Sequence, residues 1–269
     1  MELPIDAWRP PLLWRVLLVA ARVAAGAVCR LRVTGNVAPT LRRGPVILAV
    51  NHVGVFDPVA LAAACRSIGV APRLMATAGL FRAPVVGSVL RASGHIRVDR
   101  QEATAGNALD AAAQALAERS VVAAYPEGRI TLDPGLWPER GKTGVARLAL
   151  RTGVPVIPVA QWGAHEVMAW HGWGAMALTL LRSVLRRPVV RVHFAAPLDL
   201  SGFDPDTPGA AQRVTERVML ALTEELAPLR RDEPGLPRYV DPTRPVSTAR
   251  RLRHTEGRTG TPPAAGRDG

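Results

Sequence analysis

Short apolar runs alternate with longer stretches whose apolar positions recur at helical spacing. Strands are predicted at Pro45–Asn51, Leu74–Thr77, Ile96–Asp99, Val121–Tyr125, Val154–Ala160 and Val189–Phe194. Helices are predicted at Pro58–Ser67, Ala83–Ala92, Ala103–Arg119, Lys142–Arg151 and Ala211–Leu226. The strand runs are apolar at nearly every position, the pattern of strands covered on both faces, and they are separated by helices. An α/β fold with a mostly parallel central sheet flanked by helices follows. In such sheets functional groups gather where strands end and loops begin.

The two ends of the chain break this pattern. Leu12 to Val28 is apolar but interrupted by Arg15 and Arg22, which lie seven residues apart on one helical face. Its uncharged runs are too short to span a bilayer, and Arg22 splits the apolar core that a cleavable signal keeps intact. Residues 1–39 are therefore expected to form an amphipathic segment lying in a membrane interface; a helix packed on the domain is the alternative. From about Arg230 large apolar residues thin out and Arg, Pro, Gly and Thr dominate, so 230–269 is expected to be a disordered basic tail. Residues 40–229 remain as the folded domain. Within them Val167–Leu181 carries no formal charge but holds Trp170 and Trp173, which suits either core or an interfacial patch.

Composition narrows the partners. Of 269 residues, 34 are basic and 22 acidic, a formal net charge of +12, and Lys142 is the single lysine. That balance favours phosphorylated or anionic partners without choosing among nucleic acid, membrane and small phosphates. Helix-turn-helix, zinc-finger and aromatic stacking signatures are absent, so no nucleic-acid partner is expected. Cys29 and Cys65 form neither a CxxC pair nor a His-flanked cluster, which leaves no disulfide framework or cysteine-rich zinc site. Gly141-Lys142-Thr143 resembles the end of a P-loop, but Leu136 stands where the first Gly must be and no strand leads in.

Three strand ends carry the candidate chemistry. After Pro45–Asn51 comes His52, followed by Gly54 and then Asp57 before the next helix. Asp57 can orient the imidazole and leave its other nitrogen as a general base; the plainer reading is a helix cap beside a satisfied histidine. After Val121–Tyr125 come Pro126-Glu127-Gly128-Arg129, where Arg129 can grip a phosphate and Glu127 a hydroxyl, unless this is a surface turn closed by an ion pair. In Gly94–Arg100, Arg97 and Asp99 share one strand face, and Arg97 and Arg100 could converge on a phosphate; a solvated edge strand is simpler.

Taken in order, these motifs resemble the phospholipid/glycerol acyltransferase family, and more narrowly the 1-acyl-sn-glycerol-3-phosphate acyltransferases. Asn51, His52 and Asp57 match its N-H-x4-D box. Gly94–Arg100 matches a block ending in V/I-D-R, Tyr125–Arg129 matches F-P-E-G-T-R, and Val154–Val159 matches a V-P-V-I-P-V strand. The likeness covers roughly residues 40–165. Two departures bear on the acceptor: the Thr between Gly128 and Arg129 is missing, and Thr77 and Gly79 replace the Lys and Glu of K-x-E-L-F.

The resemblance implies an acyl transfer from acyl-CoA or acyl-carrier protein to the free hydroxyl of lysophosphatidic acid or a related lysolipid. His52 and Asp57 would be catalytic, and Glu127, Gly128, Arg129, Arg100 and Arg97 would bind substrate. No metal or prosthetic group is implied. An anionic membrane surface is the expected partner, with peripheral attachment at the cytoplasmic face.

Overall fold

The computed structural model describes residues 8–99 and 102–246, except the side chains of 102–105. Seven strands form one sheet: β1 (Arg30–Gly35), β2 (Val46–Val50), β3 (Arg73–Thr77), β4 (Ile96–Val98), β5 (Val121–Ala124), β6 (Val156–Trp162) and β7 (Val189–Phe194). Their spatial order is β1-β7-β6-β2-β5-β3-β4, and every neighbouring pair is parallel except β6 with β7. The expected mostly parallel sheet is therefore present, with every predicted strand in it.

The period of two decides how each strand divides its side chains. In β2, Val46, Leu48 and Val50 face one core cluster, while Ile47 and Ala49 face the other. The first cluster is closed by α1 (Leu12–Val28) and α2 (Asp57–Ser67). The second is closed by α5 (Glu102–Ala117), α6 (Gly144–Thr152) and α8 (Ala210–Leu229). Thus α2, which follows β2, and α6, which follows β5, lie on opposite faces of adjacent strands. Such a switch point opens a crevice beyond the carboxyl ends of the two strands, and this is where His52 and Glu127 emerge.

The domain boundaries shift at both ends. Residues 1–39 are not a separate interfacial segment, because β1 is a strand of the sheet, in register with β7 from Arg30↔Val189 to Gly35↔Phe194. Arginines at alternate positions hide β1 in the sequence, yet Leu31 and Val33 pack on the core between them. Helix α1 buries Trp14 and Leu18 against Ala62 of α2, and the Trp14 indole donates to the Pro72 carbonyl at 3.1 Å. Two such side chains contribute about 1.5–3 kcal/mol each. The packed reading of this helix therefore holds for the face with Trp14 and Leu18, while Leu12, Val16, Val19 and Val23 on its other side stay exposed.

The disordered tail begins too early in the sequence reading: residues 230–246 are packed. The Arg230 guanidinium is buried between the Trp137 and Trp162 rings, 4.1 and 4.3 Å from their centroids. It donates to the carbonyls of Gly135, Glu233 and Gly235. Composition misleads here because one arginine with aromatic faces and carbonyls replaces the missing apolar anchors. Residues 247–269 lie outside the described residues.

Besides β1, three elements were not predicted: α3 (Ala78–Arg82), a 3₁₀ turn at Ala164–Glu166, and α7 (Trp173–Arg186), which begins within the uncharged stretch. Helix α4 (Pro84–Ala92) coincides with its prediction.

Candidate active site

Asn51 completes β2 with its side chain. Its amide accepts from the Gln161 N–H at 2.6 Å and donates to the Gln161 carbonyl at 3.0 Å, imitating one more rung toward β6. His52 follows, and the chain turns through Gly54 into α2. At Gly54 a Cβ would stand 3.0 Å from the His165 Cα, so the loop can lie against the 3₁₀ turn only without a side chain there.

Asp57 is the first residue of α2 and fully buried. Its Oδ2 accepts from Val53 N–H at 2.6 Å and Gly54 N–H at 2.9 Å, and His52 Nδ1 stands 2.7 Å away. Two backbone donors on that oxygen make it an acceptor, so Nδ1 carries the hydrogen and Nε2 is left with its lone pair. The imidazole lies on the Tyr125 ring with centroids 4.1 Å apart and planes at 22°. A ring held on its edge by Asp57 and on its face by Tyr125 has little freedom to rotate. Asp57 does not cap α2: the donors on its Oδ2 are the Val53 and Gly54 N–H groups of the preceding loop, and no side-chain bond closes the first turn of the helix.

Glu127, beyond β5, is buried too. Its Oε1 accepts from the His52 N–H at 3.1 Å and its Oε2 from the Glu139 N–H at 2.9 Å. Burial pushes its carboxyl up to about 8; the two N–H donors oppose that, while the Glu139 and Asp57 charges add to it. With both oxygens taken by backbone, Glu127 ties the His52 loop to the loop after β5. The Thr131 N–H adds a second tie, donating to the His52 carbonyl at 2.8 Å.

Gly128 adopts φ 69°, and the Lys142 side chain lies against it, 3.1 Å from where a Cβ would be. The chain's single lysine therefore borders the site, although the P-loop reading of its segment fails. Arg129 donates through Nη2 to both oxygens of the buried Glu139, at 3.1 and 3.2 Å, and is about one-third exposed. Arg97 is paired with Asp99 at 3.0 Å on β4, three strands from β2. Strand spacing puts it about 14 Å across the sheet from the His52 strand. Arg100 lies outside the described residues. His52, Asp57, Glu127, Gly128 and Arg129 are thus brought together, and Arg97 is not.

Three groups at the site escaped sequence reasoning: Tyr125, Glu139 and Arg244. Tyr125 was quoted only as part of a motif, and nothing in the spacing of the others points inward. His165 lies beside the same loop, its ring tilted 57° to that of Trp162 with centroids 4.8 Å apart, and its pKa is held down at about 3 by burial and by the Arg244 and Arg230 charges.

Residues 30–162 match the Acyltransferase family model. The chain is 25% identical over 146 residues to the chloroplastic 1-acyl-sn-glycerol-3-phosphate acyltransferase BAT2 of Brassica napus, covering 54% of this chain and 41% of that protein. An uncharacterised protein of Mycobacterium tuberculosis is 31% identical over 136 residues, which is 47% of this chain and 36% of that one. The chain thus spans about two-fifths of the length of these relatives. The crystal structure of the 1-acyl-sn-glycerophosphate acyltransferase PlsC from Thermotoga maritima superimposes with a TM-score of 0.56 at 19% identity, covering 79% of this chain and 80% of that one, and shares the fold. With the matched region spanning β1 through β6 and holding both loops of the crevice, the chain belongs to the phospholipid/glycerol acyltransferase family.

Proposed function

We propose that this protein moves a fatty acyl group from acyl-CoA or acyl-carrier protein to the free hydroxyl of 1-acylglycerol-3-phosphate, giving phosphatidic acid. The observation that carries the reading is the 2.7 Å contact between His52 Nδ1 and Asp57 Oδ2 at the switch point of the sheet. Nε2 takes the hydroxyl proton as the acceptor oxygen attacks the thioester carbonyl. The tetrahedral intermediate collapses, the C–S bond breaks, and the leaving thiolate takes the proton from His52 Nε2 and departs as the thiol, which restores the base. Asp57 keeps the ring in the productive tautomer throughout. General-base action of this kind is worth about 10²–10⁴-fold, and the remainder comes from holding two substrates together. Arg129 is the described cation best placed to meet the acceptor phosphate.

The reading includes a membrane surface at the cytoplasmic face. Helices α1 and α7 touch, and Arg187 ties them by donating to the Gly26 carbonyl at 2.6 Å. Trp173 is 88% and Leu185 86% exposed on α7, and Arg182 and Arg186 flank them. On α1, an open groove of about 850 Å³ has an apolar floor including Val16 and Val19 and is edged by Arg15 and Arg66. Apolar side chains framed by arginine suit an anionic lipid interface, with insertion supplementing charge. Among the described residues no helix is long and apolar enough to cross a membrane.

A second reading has the same chemistry with another lysolipid as acceptor. The commitment of Arg129 to Glu139 and of Arg97 to Asp99 favours it, since both arginines already have partners. Thiol release from oleoyl-CoA or oleoyl-carrier protein is measured in detergent micelles with 1-acylglycerol-3-phosphate and with lysolipids lacking a terminal phosphomonoester. Release that depends on the phosphomonoester supports the first reading, and release with the others supports the second. Absence of release with every pair of donor and acceptor rejects both.

A further inference from the structure

The segment after α8 returns across the crevice and places Arg244 at the site. Its course is set by Asp241. Oδ1 of that residue accepts from the Thr243 N–H at 2.9 Å and hydroxyl at 2.8 Å, while Oδ2 accepts from the Trp170 N–H at 2.5 Å. The Thr243 hydroxyl oxygen in turn accepts from the His171 N–H at 3.1 Å. These bonds dock a turn on the loop before α7 and aim Arg244 inward, its guanidinium 5.4 Å from the centre of the Trp170 ring.

Arg244 Nη1 donates to the Val53 carbonyl at 2.7 Å, and Nη2 donates to the Thr131 carbonyl. Val53 is the residue after His52, and its N–H is one of the donors on Asp57. Thr131 lies four residues beyond Glu127, and its N–H holds the His52 carbonyl. One planar guanidinium therefore bridges the two loops that carry the catalytic groups, from a point nearly 200 residues away in the chain. Burial lowers the Arg244 pKa, and the nearby Asp57, Asp241, Glu127 and Asp133 carboxyls act against that. Taking a cation partly out of water costs free energy, and the two carbonyls that Nη1 and Nη2 meet offset part of it, while Nε is left without a partner.

We propose that Arg244 is a positioning residue of the acyltransferase site: residues 230–246 form a strap whose guanidinium clamps the His52–Asp57 loop to the Glu127–Thr131 loop and sets where His52 stands. The inference rests on the acyl-transfer reading for its kinetic consequence and on geometry alone for the clamp. A misplacement of about 1 Å in a base can cost roughly 10²-fold in rate. A lysine at 244 keeps the charge but cannot hold both carbonyls in one plane, so it restores only part of the effect.

The test uses the full chain with Arg244→Ala, Arg244→Lys and Asp241→Ala. Hydrogen exchange followed by mass spectrometry is read over 51–57 and 127–133, with β1 and β7 as internal reference, and turnover is read in micelles. In Arg244→Ala both loops are expected to exchange about tenfold faster while β1 and β7 do not change. On the kinetic side, kcat falls about 10–10²-fold with KM for donor and acceptor within about threefold, and millimolar guanidinium restores part of kcat. Arg244→Lys is expected between wild type and Arg244→Ala, and Asp241→Ala is expected to reproduce the loop exchange with Arg244 still present. Unchanged exchange in both loops overturns the clamp, as does wild-type kcat in Arg244→Ala or in Arg244→Lys. If Arg244→Ala does not fold, Arg244→Lys and Asp241→Ala carry the same comparison. A wild type without turnover tells against the acyl-transfer reading, and loop exchange still decides the clamp.

Discussion

Asp57 and Glu127 are buried carboxylates on loops that leave adjacent strands at the same end of the sheet, yet they are used differently. Asp57 gathers two backbone N–H groups and the His52 ring on a single oxygen. Glu127 spends one oxygen on the His52 backbone and the other on Glu139, and reaches no ring. Asp57 therefore governs the tautomer of His52, whereas Glu127 governs where the His52 backbone lies. The lesson is that a carboxylate in a motif can hold backbone together rather than orient a ring; the number and type of its donors separate the two roles.

The sharpest break of that comparison is at the dyad. His52→Ala and Asp57→Asn are each expected to lower acceptor-dependent kcat by about 10²-fold or more, because the first removes the base and the second its orienting acceptor. Steady-state thiol release checks this, and equal release by wild type and His52→Ala would remove the histidine from the mechanism.

Glu127→Gln tests the other carboxylate and is expected to cost less, about tenfold in kcat, since its amide nitrogen faces one backbone N–H where an acceptor is needed. The same variant has a signature in stability. With its folded value raised from 4.5 to about 8, Glu127 binds its proton more tightly when folded. Its contribution is complete below about pH 4.5 and is lost as pH rises toward 8. Thermal melts between pH 5 and 9 are therefore expected to decline in wild type, and the decline is expected to be shallower in Glu127→Gln.

Arg129 and Arg97 sharpen the comparison further from the base. Arg129→Ala is expected to raise KM for a phosphate-bearing acceptor about fivefold, and Arg97→Ala to change it less than about twofold, because only Arg129 shares the crevice with His52. A larger effect at Arg97 would mean that the acceptor reaches across β5 and β3.

The smallest effect on turnover is expected on the outer faces of α1 and α7. Replacing Trp173 and Leu185 by Ser should weaken co-sedimentation with anionic vesicles about threefold to tenfold and leave turnover in micelles unchanged. Unaltered sedimentation would assign lipid contact to other surfaces.

How far the sequence could be read depended on whether the information was local. The strand at Pro45–Asn51 and the helix after Asp57 follow from short-range pattern, and a five-residue separation lets one loop bring His52 and Asp57 together. Glu127 could be singled out beside Gly128, but its partners could not, since the His52 N–H and Glu139 N–H approach it only when β2 and β5 become neighbours. The separation of Arg97 from His52 has the same origin, because strand order carries β4 to the sheet edge, as the edge-strand reading of that segment has it.

By itself the sequence determined the α/β alternation, the dyad's spacing and the family-like order of the motifs, because each depends on residues within one or two elements of one another. Tertiary structure alone decided that β1 joins the sheet through β7, that Glu127 faces backbone, and that Arg230 and Arg244 hold a stretch whose composition suggests disorder. Those outcomes depend on cations meeting aromatic rings and carbonyls far away in the chain. Composition counts such arginines as solvated charge; packing turns them into anchors.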